Sequence, residues 1–175
     1  MNFKKLNIKG QFLIKHNIFK DKRGSFKRSF CLNQMRTKKI NFVIKQGNIS
    51  ENFNKGTLRG FHYQLSKHDS KIITCVSGAI FHVTIDVRES SKTYLKVSKN
   101  VLSSKNKNSL IVPGGCANAF LTLEKNTIVH YYMNQFYNPK NDKGFKFDDS
   151  FFKIKWPIKP KIISKKDKSY TNYKI

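Results

Sequence analysis

A succession of short β-prone segments, each closed by Gly, Pro, Asn or Ser, most constrains the fold of this chain. The clearest segment, residues 81–88, alternates apolar and polar side chains, which is typical of a strand with two different faces. The apolar side chains are Phe81, Val83, Ile85 and Val87, and the polar ones are His82, Thr84, Asp86 and Arg88. We expect the apolar face to meet a core and the other face to be fully polar.

Further segments with the same character predict more short strands, and helical periodicity is almost absent. The predicted strands lie at residues 11–16, 26–30, 40–45, 57–64, 71–76, 96–101, 110–112, 119–123 and 127–133. A turn is predicted at residues 21–24, a loop at 66–70 and one short helix at 33–39, and the strand at 40–45 is expected to end in the polar cluster 46–50. This spacing predicts an all-β sandwich or barrel of the jelly-roll kind.

The chain has 175 residues, of which 38% are hydrophobic, so it is long enough to bury a core as one domain and too short for two comfortable ones. We expect a single domain over residues 1–175. Its tail, residues 140–175, mixes Lys, Asp and aromatics around Trp156-Pro157, and we expect it to pack across the barrel.

The formal charge of +25 would ordinarily indicate nucleic acid or another anionic partner. The lysines are spread over the whole length, however, and joint enrichment in Lys, Asn, Ile and Phe is typical of an AT-biased genome. No basic stripe with interleaved aromatics is evident. A nucleic-acid-binding module therefore remains the weaker alternative, which salt-dependent binding to nucleic acid would support.

Three cysteines, Cys31, Cys75 and Cys116, are odd in number and lack C-x-x-C spacing, which favours neither a disulfide framework nor a zinc site. Residues 1–10 contain no apolar core of a signal peptide, and no apolar run approaches the length of a membrane span. We expect a cytoplasmic protein with reduced thiols and no membrane association.

Residues 57–64 concentrate chemically versatile side chains on a β-prone segment. Alternation places His62 and Gln64 on one face and Phe61 and Tyr63 on the other. Strict alternation would also separate Arg59 from His62, unless a bulge at the intervening glycine turns both toward one side. Taken alone, the segment is explained simply as a half-buried strand with one solvated face.

Three blocks occur in a characteristic order: Leu-Arg-Gly-Phe-His-Tyr-Gln at 58–64, Val-Pro-Gly-Gly-Cys-Ala-Asn-Ala-Phe at 112–120, and residues 131–139 with Tyr-Asn-Pro at the end. Shorter matches are Asp21-x-Arg23-Gly24-x-Phe26, Gln46-x-Asn48-x-Ser50, Asp86-x-Arg88, Thr93-Tyr94, Trp156-Pro157 and Ser164-x-Lys166-Asp167. In this order the blocks resemble the dTDP-4-dehydrorhamnose 3,5-epimerase family of RmlC-like cupins over residues 10–167.

The resemblance implies a cupin barrel, a double-stranded β-helix jelly roll with short peripheral helices, that acts as a homodimer without a cofactor. It further implies an isomerase that epimerises C3, C5 or both in a nucleotide-linked 4-keto-6-deoxy sugar, in rhamnose and polysaccharide biosynthesis. A nucleotide-diphospho-sugar is the implied partner.

Epimerisation beside a ketone requires a base, a cation near the ketone oxygen, and an acid on the opposite ring face. The resemblance assigns the base to His62, its orienting carboxylate to Asp167, the acid to Tyr131 and the cation to Lys71. Without the resemblance, Lys71 and Asp167 are simplest as surface charges and Tyr131 as a core aromatic.

The resemblance also implies the residues that bind substrate. Arg23, Gln46, Asn48 and Arg59 match positions that hold the diphosphate and nucleotide, and Tyr137 matches the ring stacked on the base. The remaining substrate-binding positions are Phe26, Arg28, Asn118 and Asp142.

Four positions depart from the family pattern. Arg28 stands in place of a glutamate, His82 of an aspartate, Asn118 of a histidine and Asp142 of a glutamate. The charge reversal at Arg28 makes GDP- or CDP-linked 4-keto sugars, including heptoses, candidates beside dTDP-linked ones. The changes at His82 and Asn118 make a reaction at one carbon alone, C3 or C5, an alternative to epimerisation at both.

Metal-dependent cupins present His-x-His followed by a third histidine, where this chain has Gln64 and Asn118. We therefore expect no metal at His62. A related cupin with other chemistry, such as a 3,4-ketoisomerase, remains an alternative.

Overall fold

The computed structural model describes residues 1–65 and 69–174. Within them the chain forms two facing sheets, a separate hairpin and two short helices, which confirms the predicted all-β, jelly-roll architecture. Of the loop predicted at 66–70, residues 66–68 lie outside the described part of the chain.

The first sheet has six strands, and its neighbouring strands are antiparallel. They are β1 (Asn2–Lys5), β2 (Phe12–Lys15), β5 (Gln46–Asn52), β7 (Lys71–Ser77), β10 (Ser109–Val112) and β12 (Thr127–Met133). Their order across the sheet is β1-β2-β10-β7-β12-β5, which makes β5 an edge strand.

The second sheet consists of β6 (Thr57–Gln64), β8 (Ala79–Asp86), β9 (Val97–Ser103), β11 (Cys116–Thr122) and β13 (Asp142–Gly144). Their order is β13-β6-β11-β8-β9, and a short strand β14 (Ile162–Ile163) runs parallel to β6. The hairpin pairs β3 (Ile18–Asp21) with β4 (Gly24–Lys27) around the predicted turn. The helices are α1 (Leu32–Thr37) and α2 (Lys165–Ser169), and a single 3-10 turn covers Pro139–Asn141.

Apolar side chains form three clusters that bury the faces of the two sheets. The cluster between the sheets includes Ile73, Ile80, Leu110, Phe120 and Val129. The outer face of the second sheet is covered by the C-terminal segment, and that of the first by the region around α1. The even-numbered side chains of β8, including His82 and Thr84, therefore point between the sheets, where the sequence predicted only a polar face.

The C-terminal segment packs on the outer side of β6. Phe145 stacks on Phe61 with ring centroids 4.8 Å apart, and Trp156 donates its indole N–H to the Phe147 carbonyl at 3.0 Å. Burial of such aromatic pairs stabilises the contact by more than area alone. This contact fixes the segment that carries α2 against the strand that carries His62.

The prediction of a strand at residues 40–45 is wrong. These residues form no strand, and Phe42 instead inserts into the cluster near α1 with 1% exposure. The strand β5 begins only at Gln46, in the polar cluster that was expected to end the predicted strand, and it pairs with β12 along its whole length. The hydrophobic residues of this segment are buried, as their character indicates, but they do not form a strand. The polar residues that follow them make the backbone hydrogen bonds to β12.

None of the helices among the described residues combines the length and apolar character that crossing a membrane requires.

Candidate active site

A cavity of about 700 Å³ lies between the two sheets. Strands β5, β7 and β12 line it from the first sheet, and β6 and β11 line it from the second. The C-terminal segment from Ile162 to Asp167 closes one side. The cavity is large enough for a drug-sized ligand, so a nucleotide sugar fits its scale.

A bulge in β6 brings Arg59 and His62 to the same cavity. His62 pairs with Asn118 and Arg59 with Phe120, so the register of β6 against β11 shifts between them. Both side chains line the cavity, which confirms the bulge expected at Gly60. Gly60 has φ +114°, and a Cβ there would lie 2.5 Å from the Asn118 carbonyl oxygen, so only glycine fits.

Asp167 holds the imidazole of His62. The Nε2 atom of His62 lies 2.7 Å from Asp167 Oδ1, while the Gly60 backbone N–H donates to Oδ2 at 3.1 Å. Burial acts to raise the pKa of Asp167, but the His62 hydrogen bond and charge, with the Gly60 N–H, lower it below its usual value. The carboxylate therefore stays ionised, which fixes Nε2 of His62 as the donor.

Helix α2 places Asp167 at this point. Its N-cap, Ser164, accepts a hydrogen bond from the Asp167 backbone N–H through Oγ at 3.0 Å. Asp167 lies in the first turn, and its carboxylate reaches β6, where it contacts His62 and the Gly60 N–H; the residue is 3% exposed.

Tyr131 approaches the same cavity from the opposite sheet. It lies on β12, paired with Asn48 on one side and Ile73 on the other. Burial raises the pKa of the Tyr131 phenol, although the Arg59 guanidinium acts to lower it. The phenol therefore stays protonated at neutral pH, and it lines the cavity together with His62.

Lys71 begins β7 and lines the cavity with Tyr131. Its ammonium forms an ion pair with Asp69, whose side chain is 3% exposed. Because Asp69 is the paired carboxylate, Lys71 is held in place rather than free at the surface.

Arg59 and Asn48 form the polar wall next to these groups. The Nε atom of Arg59 donates to the Oδ1 atom of buried Asn52 at 2.9 Å, and Gln46 donates to Asn48 Oδ1 at 2.9 Å. Gln46 does not line the cavity itself but also accepts from the Tyr137 backbone N–H at 3.0 Å.

Tyr137 and Asp142 lie at the rim, just outside the cavity lining. The Tyr137 hydroxyl donates to Asp142 Oδ2 at 3.1 Å, and the ammonium of Lys166 pairs with the same carboxylate oxygen. Lys166 lines the cavity and was given no role from the sequence. Its position in the block Ser164-x-Lys166-Asp167 was the available signal, because that block already supplied Asp167.

Asn118 lines the cavity, and its side-chain amide donates to the His62 carbonyl at 3.2 Å. His82 lies behind it, fully buried, and does not line the cavity. Two of the four departures from the family pattern, His82 and Asn118, are thus neighbours.

Arg23, Phe26 and Arg28 lie away from the cavity of their own chain. Arg23 pairs with Asp21 at the exposed tip of the β3–β4 hairpin. Phe26 and Arg28 line a separate pocket of about 130 Å³. A single chain therefore does not bring these three side chains to His62.

Within residues 1–65 and 69–174, no group of three or more His, Cys, Asp or Glu side chains is arranged to hold a metal ion. What the cavity presents is a histidine with a carboxylate on one side and a protonated phenol on the other, with a lysine nearby. This set can remove a proton from one face of a ligand and deliver one to the other.

A sequence model of the dTDP-4-dehydrorhamnose 3,5-epimerase family matches residues 5–174. The dTDP-4-dehydrorhamnose 3,5-epimerase of Sinorhizobium fredii is 36% identical over 171 residues, covering 97% of this chain and 88% of that protein.

Two solved structures show the same fold. The Bacillus anthracis dTDP-4-dehydrorhamnose 3,5-epimerase, with TDP and PPi bound, has a TM-score of 0.94 at 31% identity, covering 98% of this chain and 99% of that one. The Legionella pneumophila dTDP-6-deoxy-D-glucose-3,5-epimerase, in complex with dTDP-4-keto-L-rhamnose, has a TM-score of 0.92 at 28% identity, covering 98% and 92%. The chain therefore belongs to the dTDP-4-dehydrorhamnose 3,5-epimerase family and is a carbohydrate epimerase.

Proposed function

We propose that this chain inverts C3 and C5 of dTDP-4-keto-6-deoxyglucose, which gives dTDP-4-dehydrorhamnose, or of a closely related nucleotide-linked 4-keto-6-deoxy sugar. The observation that carries the proposal is that His62 on the second sheet, paired with Asp167 of α2, and Tyr131 on the first sheet line one cavity. The dTDP-containing ligands of two similar structures support the substrate class.

The proposed reaction starts at His62. Because Nε2 donates to Asp167, the Nδ1 lone pair is left to take the proton from the carbon beside the ketone. The electron pair of the broken C–H bond moves to the ketone oxygen, where the Lys71 ammonium stabilises the enolate. Tyr131 then donates its proton to the opposite face of the same carbon. Proton exchange with water restores both groups.

The proposed binding residues surround this centre. Arg59 offers a guanidinium suited to the diphosphate, while Asn48 and Gln46 offer amides to the nucleotide. Tyr137 supplies an aromatic face for the base, with Asp142 beside it. Asn118 lies next to the sugar subsite. No cofactor or metal takes part in this proposal.

We further propose a homodimer in which the β3–β4 hairpin of one copy reaches the cavity of its partner. The hairpin pairs with neither sheet, and Phe19 and Phe26 are 65% and 69% exposed. Large exposed aromatics on one projecting element are typical of an interface. Arg23, Phe26 and Arg28 would then bind substrate in the partner's cavity.

The single-domain organisation and a cytoplasmic location complete the proposal. Three free cysteines, Cys31, Cys75 and Cys116, are consistent with a reducing compartment.

The test is epimerisation in D₂O with dTDP-4-keto-6-deoxyglucose as substrate. We expect solvent deuterium at both C3 and C5 and its complete loss in His62→Asn. Tyr131→Phe should keep exchange on the His62 face and lose the inverted product. Deuterium at one carbon alone would restrict the reaction to that centre, and full activity of His62→Asn would exclude His62 as the base.

Nucleotide preference is tested separately, by thermal shift with dTDP, GDP, CDP and UDP. A ligand selective for the native state raises the unfolding temperature, so the largest shift identifies the base. We expect dTDP to give it. A larger shift with GDP or CDP would mean that the substrate carries guanine or cytosine instead of thymine, and that Arg28 contacts that base.

A further inference from the structure

The β3–β4 hairpin is attached to its own barrel by side chains that the proposed reaction does not use. Among the described strands, β3 and β4 pair only with each other, so pairing with a sheet does not fix the direction in which the hairpin projects. An element with few such bonds opens easily unless other contacts hold it. Two sets of side-chain hydrogen bonds supply these contacts, one at the base of the hairpin and one along β4.

His16 closes the base of the hairpin. It lies between β2 and β3, and its Nδ1 atom is 2.9 Å from the carbonyl oxygen of Arg28, the residue that follows β4. Its Nε2 atom is 2.8 Å from the hydroxyl oxygen of Ser109, the first residue of β10. One imidazole thus joins the two ends of the hairpin to each other and to the first sheet.

The hydrogen bonds of His16 have a single consistent direction. Burial, and then the Lys27 ammonium, lower the pKa of His16 to about 4, so the imidazole is neutral at neutral pH. The Arg28 carbonyl can only accept, so His16 donates from Nδ1 and its Nε2 accepts from Ser109. Ser109, which is 0% exposed, accepts in turn from the Thr74 hydroxyl at 2.5 Å. Every one of these groups therefore has a partner.

A second contact holds β4 near its end. Lys27 Nζ donates to the carbonyl of Lys107 at 2.8 Å, and Lys107 Nζ donates to Ser25 Oγ at 2.5 Å. Lys107 lies in the turn between β9 and β10 and has φ +53°, a left-handed conformation that is costly for residues other than glycine. Asn106 supports it, because its Oδ1 accepts two backbone N–H groups of the same turn, each at 3.1 Å. The turn therefore holds the Lys107 carbonyl toward Lys27.

The Lys27–Lys107 contact is electrostatically unfavourable in itself. Burial, and then the Lys107 charge, lower the pKa of Lys27. Removing an ammonium from water is unfavourable unless hydrogen bonds offset the loss. Lys20 on the same hairpin is exposed, so a lysine here does not have to be half-buried. The hydrogen bond of Lys27 to the turn thus offsets a cost that an exposed lysine would avoid.

We propose that His16 and Lys27 are positioning residues for the active site of the partner subunit. They fix the direction in which the hairpin projects, and the hairpin carries Arg23 at its tip and Phe26 on β4. This inference rests on the proposed function, in which those side chains bind substrate in the partner's cavity. Neither His16 nor Lys27 touches the substrate, and both act through the hairpin.

The first test follows the hairpin itself, by hydrogen–deuterium exchange of the full-length protein at neutral pH. His16→Phe and Lys27→Met should each speed exchange of the amides in residues 18–27 by about fivefold, the effect of losing one or two hydrogen bonds. Lys20→Met is the matched control, because it removes the same charge from an exposed position of the same hairpin. It should leave exchange unchanged. Wild-type exchange in either of the other variants would overturn the role of that residue.

The second test separates positioning from a general loss of structure by kinetics. The hairpin is proposed to bind the nucleotide and not the reacting carbons, so His16→Phe should raise KM by about fivefold and leave kcat within about twofold. His16→Gln can donate to the Arg28 carbonyl and accept from Ser109, so it should restore KM. An unchanged KM in His16→Phe, or no recovery in His16→Gln, would contradict the positioning role.

The third test uses mixed dimers to show in which subunit His16 acts. In a dimer of Arg23→Ala and His62→Asn chains, the working site combines the cavity of the first chain with the hairpin of the second. Adding His16→Phe to the His62→Asn chain should raise the KM of that site by about fivefold. Adding it to the Arg23→Ala chain should leave KM unchanged. The opposite result would place the effect of His16 in its own cavity and overturn the proposal.

The tests also distinguish this inference from the proposed function. Faster hairpin exchange in the variants of a protein without epimerase activity would show that these residues hold the hairpin, and would reject only the proposed function. Epimerase activity with unchanged hairpin exchange would reject the positioning role alone. If His16→Phe does not fold, Lys27→Met decides the case in the same assays.

Discussion

Asp167 gives His62 its place in the site, because it accepts from Nε2 at 2.7 Å while binding the Gly60 backbone N–H at 3.1 Å. One carboxylate thereby fixes both the tautomer of His62, the proposed base, and the backbone beside it. An amide at this position keeps the shape but presents an NH₂ group to one of these donors. The pair therefore depends on the charge of Asp167 as well as on its size.

Asp167→Asn should lower kcat by about 10²-fold with little change in KM, within the range that general acid–base catalysis contributes. Steady-state kinetics on the purified variant measures this. Asp148→Asn is the control, since Asp148 is an exposed carboxylate outside the cavity. Equal loss in both variants would mean that a general change in charge is responsible.

Asp167 should also make stability depend on pH in acid. A carboxylate whose folded pKa is lowered contributes stability that is present above its unfolded pKa and lost as pH falls through the folded value. The difference in unfolding free energy between wild type and Asp167→Asn should therefore be constant near neutral pH and shrink below about pH 4. Urea titrations at several pH values test this, and a difference that grew in acid would reverse the assignment.

The residues of the site were predictable from the sequence only as members of a pattern. Lys71 and Asp167 look like surface charges until Asp69 and His62 are seen beside them. Lys166 was missed, although it lines the cavity next to Asp167. The burial of His82 was not predictable either, because alternation gives the face of a strand and not what covers it.

At the scale of elements, strand β6 depends on a close approach of backbones at Gly60. A Cβ there would lie 2.5 Å from the Asn118 carbonyl oxygen and 2.8 Å from Ala119. These contacts are with backbone and a neighbouring Cβ, so no flexible side chain can move aside. The bulge, and with it the placement of Arg59 and His62 in the cavity, therefore requires glycine at position 60.

Gly60→Ala should destabilise the fold by about 3 kcal/mol or more, because steric overlap adds to the strain of a positive φ. Gly24→Ala is the matched control, since Gly24 also has positive φ, +132°, but no atom of the described residues lies within 4 Å of a Cβ added there. It should cost about 1 kcal/mol. Denaturant unfolding of both variants gives the comparison, and similar losses would show that crowding contributes nothing.

Strands were predicted well where both hydrophobic pattern and pairing agree. Strand β12 has the predicted bounds, Thr127–Met133, and α1 begins one residue before the predicted helix and ends two residues earlier. Strand β5 was missed because its polar residues face the cavity, so they carry no apolar alternation. Strands β1, β13 and β14 are short or lysine-rich, and their pairing is decided by partners distant in sequence.

At the scale of the whole molecule, the β3–β4 hairpin carries predicted substrate-binding residues that do not reach the cavity of their own chain. Its guanidinium at Arg23 and its aromatic ring at Phe26 lie outside the cavity where substrate would bind. The proposed exchange between two copies brings them to a cavity without changing either fold. Each site would then contain residues from both chains.

Mixing two inactive variants tests this exchange. Arg23→Ala and His62→Asn should each be weakly active or inactive alone, whereas a mixed dimer contains one site with both groups intact. We therefore expect activity to return on refolding the two together, toward one working site in each mixed dimer. A hairpin that acted within its own chain would leave every site defective, and no activity would return.

The contact between His62 and Asp167 spans 105 positions of the chain. Such a long-range closure is late in folding, since the cost of ordering the intervening residues comes first. Local opening of the short helix α2 would silence the enzyme while the barrel stayed intact. Heating or protease treatment would then abolish activity before most backbone amide protons exchange with solvent. Loss of activity would therefore not indicate that the whole fold is lost.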